Sequence, residues 1–469
     1  MTRKSEAVVV GSGPGGYVAA IRLGQLGKET VLIERGNLGG VCINVGCIPS
    51  KALIHVAKLK NRIEAAKQIG LEVSDMRIDM GKVQAWKERV VNRLASGIEY
   101  LCTSNNVKII KGDAKFTGPQ QIEVKTAAGI ETIEAQNTII ATGSRPVEIA
   151  GFKFDGSNVI TSTETLALRE IPHNLVVVGA GVTGLEMATM YRQMGSQVTV
   201  VELLEQLLPG VVSDPEIIRV VERAFRKLGI EYHVKSRAKE YRDGKVYVTL
   251  EDGRDTEFPC DKVLVSVGRR PNSDGIGLEK TGVKTDQHGW ISVNKKLQTN
   301  IAGTYAIGDV TGPPLFAHKA SKDGIVAAEV IAGMNSEADY RGIAWSIFTD
   351  PEISSVGLTE AQAREKGYEP IVGRFPFTAL GRALIAGQTD GFVKVIADRE
   401  SDLVLGVHIV GPEASDLISE AALAVEMGAT LEDVGFTIHP HPTLPEAIME
   451  AAEAAKGKAI NIVQRRRTV

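Results

Sequence analysis

At 469 residues the chain has length for about three domains of roughly 150 residues each, which excludes mini-protein architectures held by disulfides or metals. It is 43% hydrophobic and 24% charged, ordinary for a globular protein, but its 49 glycines exceed the usual share of about 7% and need backbone reasons. Lys plus Arg number 54 against 57 Asp plus Glu, a net charge of −3, which argues against nucleic acid or an anionic membrane surface as the main partner.

The four cysteines, Cys42, Cys47, Cys102 and Cys260, are too few and too unevenly spaced for a secreted disulfide framework. No apolar run approaches the ~20 residues of a membrane span, and no signal-peptide pattern precedes the first strand-like run, Ala7 to Val10. A cytoplasmic protein is the default expectation, with an organelle matrix open if a transit peptide has been removed.

That first run enters Gly11-x-Gly13-x-x-Gly16, a helical stretch follows, and a second apolar run ends at Glu34. In such a turn the first glycine makes the bend and the second admits a pyrophosphate. The third lets helix pack on strand, and the helix N-terminus supplies N–H donors. A carboxylate 18 residues after the last glycine suits a ribose hydroxyl.

Eight residues after Glu34 stands Cys42, and Cys47 follows five residues later within Gly39 to Lys51. In an ideal helix, Cα atoms five residues apart lie roughly 8.5 Å from each other, beyond the ~7 Å that a disulfide tolerates. A bridge therefore requires a distorted segment, which Gly46 and Pro49 would permit, and such a small-loop bond is expected to be reducible. Cys102 and Cys260 show no partner signal and read as inert buried thiols.

Residues 138–144 read as a strand running into Ala141-Thr142-Gly143-Ser144. The first fingerprint then returns: Gly11, Gly13, Gly16, Gly27 and Glu34 recur as Gly179, Gly181, Gly184, Gly195 and Glu202, each 168 residues later. The repeat implies two βαβ units. Glu202 would repel a 2′-phosphate, and Leu203, Leu204 and Glu205 offer no arginine to accept one, so the second site prefers NAD to NADP.

From Gly303 to Gly312 the pattern reads as a strand ending in Ile307-Gly308-Asp309. After about Trp345 the character changes: Phe392 to Ile396 and Leu403 to Ile409 read as strands, Leu417 to Gly428 and Glu446 to Gly457 as helices. The fold class is thus α/β, two dinucleotide-binding parts followed by an α+β domain. Thr443-x-x-Glu446 reads as a capping box for the last helix. The segment from Lys456 to Val469 carries five basic and no acidic residues and reads most simply as a solvated end.

Together the cysteine segment, the two fingerprints and the His439-Pro440-His441-Pro442 segment resemble the flavoprotein disulfide reductases over essentially the whole chain. The resemblance implies an FAD-binding Rossmann-like domain at 1–148, an NAD-binding one at 149–271, a central part at 272–345 completing the FAD site, and a dimerisation domain at 346–469. It assigns Gly11, Gly13, Gly16, Glu34, Thr142, Gly143, Gly308 and Asp309 to FAD, with Asp309 on the ribityl chain, and Gly179, Gly181, Gly184 and Glu202 to NAD. Cys42 would exchange with substrate while Cys47 faces the flavin as the charge-transfer thiolate. Lys51 would pair with Glu186 near the flavin ring.

The resemblance also makes His441 the general base and Glu446 the group that orients its ring, with His439 a packing or solvent-facing residue. The implied activity is NAD-dependent oxidation of dihydrolipoyl groups carried by a 2-oxo acid dehydrogenase complex or a glycine cleavage system. The lipoyl group is expected on another chain, because the first Rossmann strand begins at residue 7. A homodimer is implied, each site borrowing its base across the two-fold axis. Two departures from the family pattern are Val41, where threonine is common, and Pro445, where serine is frequent. A related NAD(P)H-dependent disulfide or mercuric reductase is the alternative; glutathione enzymes prefer NADP, against Glu202, and mercuric reductases usually carry a C-terminal cysteine pair that this tail lacks.

Overall fold

The structure, a computed structural model, describes residues 2–464 and divides into two compact units, Met1–Glu170 with Ser266–Asp339, and Ile171–Val265 with Tyr340–Val469. In the first unit, strand β1 (Thr2–Val10) pairs in parallel with β2 (Thr30–Glu34) on one side and with Gly129–Ile140 on the other. Lys108–Lys111 extends the sheet beyond β2, and Thr304–Ala306 joins the far end of Gly129–Ile140, both in parallel. Gln121–Thr126 and Asp113–Gly118 complete it as antiparallel strands.

Alternate residues of β1 enter opposite cores. Ala7 and Val9 pack with Leu32 and Ile139, whereas Val8 and Val10 pack with Val31, Ile33 and Ile140. Burial on both faces explains why the strand reads as an unbroken valine run rather than an alternation. Helix α1 (Pro14–Gln25) lies backbone-close to Ala317–Ile331: a Cβ on Gly15 would stand 2.9 Å from the Ala320 carbonyl oxygen, and one on Gly324 2.5 Å from that of Gly15. Arg22 and Glu329 close the same contact with a 2.6 Å ion pair.

Three local expectations are revised here. The strand expected from Gly303 is only Thr304–Ala306, because Gly308, at φ +68°, turns the chain into a short 3₁₀ turn, Gly308–Thr311. The strand expected over 138–144 ends at Ile140. The stretch Gly40–Ile69 is, contrary to the reading of the sequence, long and apolar enough by length and composition to cross a membrane. It is broken at Gly46 into α2 (Gly40–Val45) and α3 (Cys47–Ala65), and buries Ile43, Leu53, Ile54 and Ala57.

In the second unit a parallel sheet runs Glu231–His233, Gln197–Val201, Asn174–Val178, Lys262–Val265, with helices Val182–Met194 and Pro215–Leu228. A separate antiparallel sheet follows the order Trp345–Ile347, Glu352–Gly357, Val404–Gly411, Phe392–Asp398, Pro370–Pro376. Helices Ala414–Met427 and Glu446–Ala455 cover it through Leu417, Ala421, Ile448 and Ala451, which meet Phe375, Val393, Val395, Val407 and Ile409. Gly373 lets the last helix approach, since a Cβ there would lie 1.9 Å from the Ala451 carbonyl oxygen. That helix stops at Ala455, two residues short of the expected Gly457. Of the basic tail, residues 465–469 lie outside the described residues, and Lys456 pairs with Asp402.

Candidate active site

The three fingerprint glycines of the first unit take three separate roles. Gly11 sits at φ +100°, open to glycine but costly for other residues. A Cβ on Gly16 would fall 1.9 Å from the Gly11 carbonyl oxygen, so this glycine brings α1 onto β1. At Gly13 a Cβ would meet nothing within 4 Å, and the backbone there is open to a ligand at the N-terminus of a 12-residue helix. This cradle fits the pyrophosphate of a dinucleotide such as FAD.

Both βαβ carboxylates are held in the same way. Glu34 Oε2 accepts from the Ser12 N–H at 2.8 Å and Oε1 from the Gly36 N–H at 2.7 Å. Glu202 Oε2 accepts from the Ala180 N–H at 2.6 Å and Oε1 from the Leu204 N–H at 2.8 Å. The 168-residue repeat therefore extends to individual hydrogen bonds. Gly179 repeats the left-handed backbone of Gly11, at φ +102°, and Gly181 caps the helix that contains Gly184.

The cysteine segment is fastened to the first fingerprint. The Gly39 N–H donates to the Ser12 carbonyl oxygen at 3.0 Å, and a Cβ on Gly40 would lie 2.7 Å from Gly13 Cα. Asn44 Nδ2 donates to the carbonyl oxygens of Leu38 and Gly40, each at 2.9 Å. At Gly46 the chain breaks helix geometry with φ −139° and ψ −113°, and a Cβ there would lie 2.8 Å from the Val41 carbonyl oxygen. The distortion needed to bring the cysteines together thus sits at Gly46. Pro49 instead occupies the first turn of α3, where its missing N–H needs no partner.

Across this break Cys42 and Cys47 approach within hydrogen-bonding reach. That bond, burial and the neighbouring sulfur push the Cys42 thiol up, while Lys51 acts more weakly in the opposite sense. Cys47 opens the 19-residue α3, a position that favours negative charge. Cys102 and Cys260 are buried thiols pushed up by desolvation to about 11 and about 12, in keeping with an inert role.

Asp309 lies at the start of the 3₁₀ turn, where Ser144 Oγ donates to its Oδ2 at 2.6 Å. Behind it the buried Asp323 accepts from the Gly308 N–H at 3.3 Å and from Lys319 Nζ at 2.7 Å. Thr142 and Gly143 are held by Asn272: Thr142 Oγ1 donates to the Asn272 carbonyl oxygen at 2.8 Å, Asn272 Nδ2 to that of Thr142 at 2.9 Å, and the Asn272 N–H to that of Gly143 at 2.9 Å. Asn272, Lys319 and Asp323 carried no signal in the sequence, and Ser144 was marked only as the end of a strand-like segment, because their roles come from partners more than 120 residues away or from a helix face that no motif marks.

In the second unit Glu186, buried in its helix, accepts from the Phe348 N–H at 3.0 Å. His441 Nδ1 stands 2.7 Å from Glu446 Oε1, and Glu446 Oε2 accepts from the Thr443 N–H at 2.6 Å. Burial alone would raise the Glu446 carboxyl, but the Thr443 N–H and His441 outweigh it and hold it below the ordinary value. The capping box is only half made, since Thr443 Oγ1 donates to the Pro440 carbonyl oxygen at 2.7 Å instead of capping the helix. His439 is neither solvent-facing nor merely packed: its Nε2 stands 2.7 Å from Glu420 Oε1 and its Nδ1 2.8 Å from the Thr437 carbonyl oxygen. Beside this loop opens a cavity of about 470 Å³ lined by Arg382, Asp416, Glu420 and Pro442 to Pro445.

Two family models match the chain, that of pyridine nucleotide-disulphide oxidoreductases over residues 5–324 and that of their dimerisation domain over residues 343–452. Proteins named dihydrolipoyl dehydrogenase are similar over nearly the whole length. That of Halobacterium salinarum is 46% identical, with 98% of each chain covered, and that of Thermus scotoductus is 47% identical, with 98% of this chain and 99% of the relative covered. Among solved structures, LpdA of Mycobacterium tuberculosis superimposes with a TM-score of 0.88 at 29% identity, and the HOCl-induced flavoprotein disulfide reductase RclA of Escherichia coli with 0.85 at 28%. Each covers 96% of this chain and is itself 99% covered. With two glycine-rich strand-to-helix turns, a juxtaposed cysteine pair and matches along its whole length, the chain belongs to the pyridine nucleotide-disulphide oxidoreductase family of oxidoreductases.

Proposed function

We propose that the protein oxidises dihydrolipoyl groups borne by another protein, as a dihydrolipoyl dehydrogenase. The observation that carries this reading is the Cys42–Cys47 pair held across the Gly46 break against the first fingerprint loop. The names of the full-length relatives support the substrate. His441, its ring aligned by Glu446, takes the proton from one dihydrolipoyl thiol. The resulting thiolate attacks Cys42 Sγ of the oxidised pair, and Cys47 leaves as a thiolate. The second substrate sulfur then displaces Cys42, releasing the cyclic disulfide and leaving both cysteines reduced. The Gly11 to Gly16 cradle and Asp309 would hold FAD, which would supply the acceptor for that electron pair, and the Glu202 site would hold the NAD that serves as its outlet.

The His441 side chain is 78% exposed, so its own unit does not enclose it. With the match to the dimerisation domain, this supports a homodimer in which the ring serves the cysteines of a second copy. The test follows NAD reduction with dihydrolipoamide and, in parallel, NADH and NADPH oxidation with lipoamide, glutathione disulfide and mercuric ion. Turnover of the lipoyl pair with NADH strongly preferred is the expected result. Faster turnover of glutathione disulfide or mercuric ion, or equal use of NADPH, overturns the reading.

A further inference from the structure

Arg269 is a half-buried cation that the proposed chemistry has not used. Its Nε donates to Ser144 Oγ at 2.7 Å and its Nη2 to the Ser144 carbonyl oxygen at 2.7 Å. Ser144 in turn donates to Asp309 Oδ2, which lies 4.0 Å from Arg269 Nε. A hydroxyl has one proton to give, so accepting from the guanidinium commits that proton to Asp309. Fixing Oδ2 also fixes the carboxylate plane, and with it the direction of Oδ1.

The backbone makes this arrangement rigid. Arg269–Pro271 pairs antiparallel with Ser144–Pro146, and Arg145 Nη1 donates to the Pro271 carbonyl oxygen at 2.8 Å and to Asn272 Oδ1 at 2.9 Å. Burial pulls the Arg269 guanidinium down from its ordinary value, and the two groups that oppose this are Asp309 and Cys47. The cation therefore faces the Asp309 carboxylate across the Ser144 hydroxyl.

We propose that Arg269 is a positioning residue: through Ser144 it sets the Asp309 carboxylate for the hydroxylated chain of the flavin. The proposal rests on FAD occupying the cradle described above. Lysine tests the geometry of this grip, because it keeps the charge but lacks the planar fork that holds both oxygens of Ser144.

The experiment uses holoprotein carrying Arg269→Met, Arg269→Lys or Ser144→Ala and reads flavin fluorescence released on dilution. The same proteins are assayed with and without excess FAD, which restores activity lost through weak flavin binding but not through a damaged fold. Arg269→Met is expected to release flavin on the order of tenfold more readily, with excess FAD restoring activity. Ser144→Ala and Arg269→Lys are expected to do the same. Flavin retention unchanged in both Arg269→Met and Ser144→Ala, or a loss of activity that excess FAD does not restore, overturns the proposal. A wild-type protein that binds no FAD would instead remove the underlying reading before any variant is compared.

Discussion

Single residues of the site are held by short, directional contacts, which makes their substitutions separable. Glu446 divides its two oxygens between the His441 ring and the Thr443 N–H. Removing the ring in His441→Ala is expected to lower turnover with dihydrolipoamide on the order of 10²-fold or more, while Glu446→Gln keeps the ring but loses the charge that stabilises its protonated form. Steady-state rates with dihydrolipoamide check this, and near-full turnover by His441→Ala would remove the ring from the base role. The glycines make a second separable pair. Gly16→Ala forces a Cβ against the Gly11 carbonyl oxygen and is expected to cost about 1–3 kcal/mol in urea unfolding. Gly13→Ala meets no protein atom, so it should leave that stability within about 0.5 kcal/mol while weakening retention of FAD. Equal losses of stability in the two variants would contradict this division of roles.

Among the elements, the antiparallel sheet of the second unit encloses a titratable group. His408 Nε2 faces the Leu358 carbonyl oxygen at 3.1 Å, and Nδ1 meets Ser355 Oγ. A carbonyl oxygen only accepts, so Nε2 carries the proton and Nδ1 accepts from the serine. Lys394 and Asp214 are the charged groups that face it, and Lys394 also bonds Asp214 and Glu216 at the N-terminus of Pro215–Leu228. Burial holds the His408 imidazole below its ordinary value. Above the unfolded-state value, near pH 6.5, both folded and unfolded forms are neutral and the folded state is at full stability. As pH falls from there toward the folded value, only the unfolded chain gains the proton, and stability drops by up to about 1.4 kcal/mol per pH unit. Urea unfolding between pH 7.5 and 5.5 should show this slope, reduced in His408→Gln; an equal slope in the variant would assign the acid sensitivity elsewhere.

At the level of the whole molecule, the exposed His441 and the match to a dimerisation domain lead to a test of shared sites. Cys47→Ser and His441→Gln are each expected to be inactive with dihydrolipoamide. Mixed under dissociating conditions and reassociated, they should recover up to about a quarter of wild-type activity, because random pairing makes half the dimers hybrids and each hybrid holds one intact site. No recovery, with hybrids present by mass, would place base and cysteines in one chain.

Much of this site is legible in the sequence because local physics writes it there. A bend that only glycine adopts, a helix start that must admit phosphate and a carboxylate at fixed spacing leave the same marks twice, 168 residues apart. The five-residue cysteine spacing likewise demands a broken helix, and Gly46 supplies it. What the sequence could not determine depends on groups distant in the chain: Asn272 holding Thr142 and Gly143, Gly40 pressing on Gly13, Glu420 meeting His439, and Arg269 reaching Asp309 through Ser144. None of these pairs has a period or a motif, because a hydrogen bond between remote segments constrains geometry without constraining local composition. The chain's own pattern thus determined the chemistry available, and the tertiary structure decided which groups hold that chemistry in place.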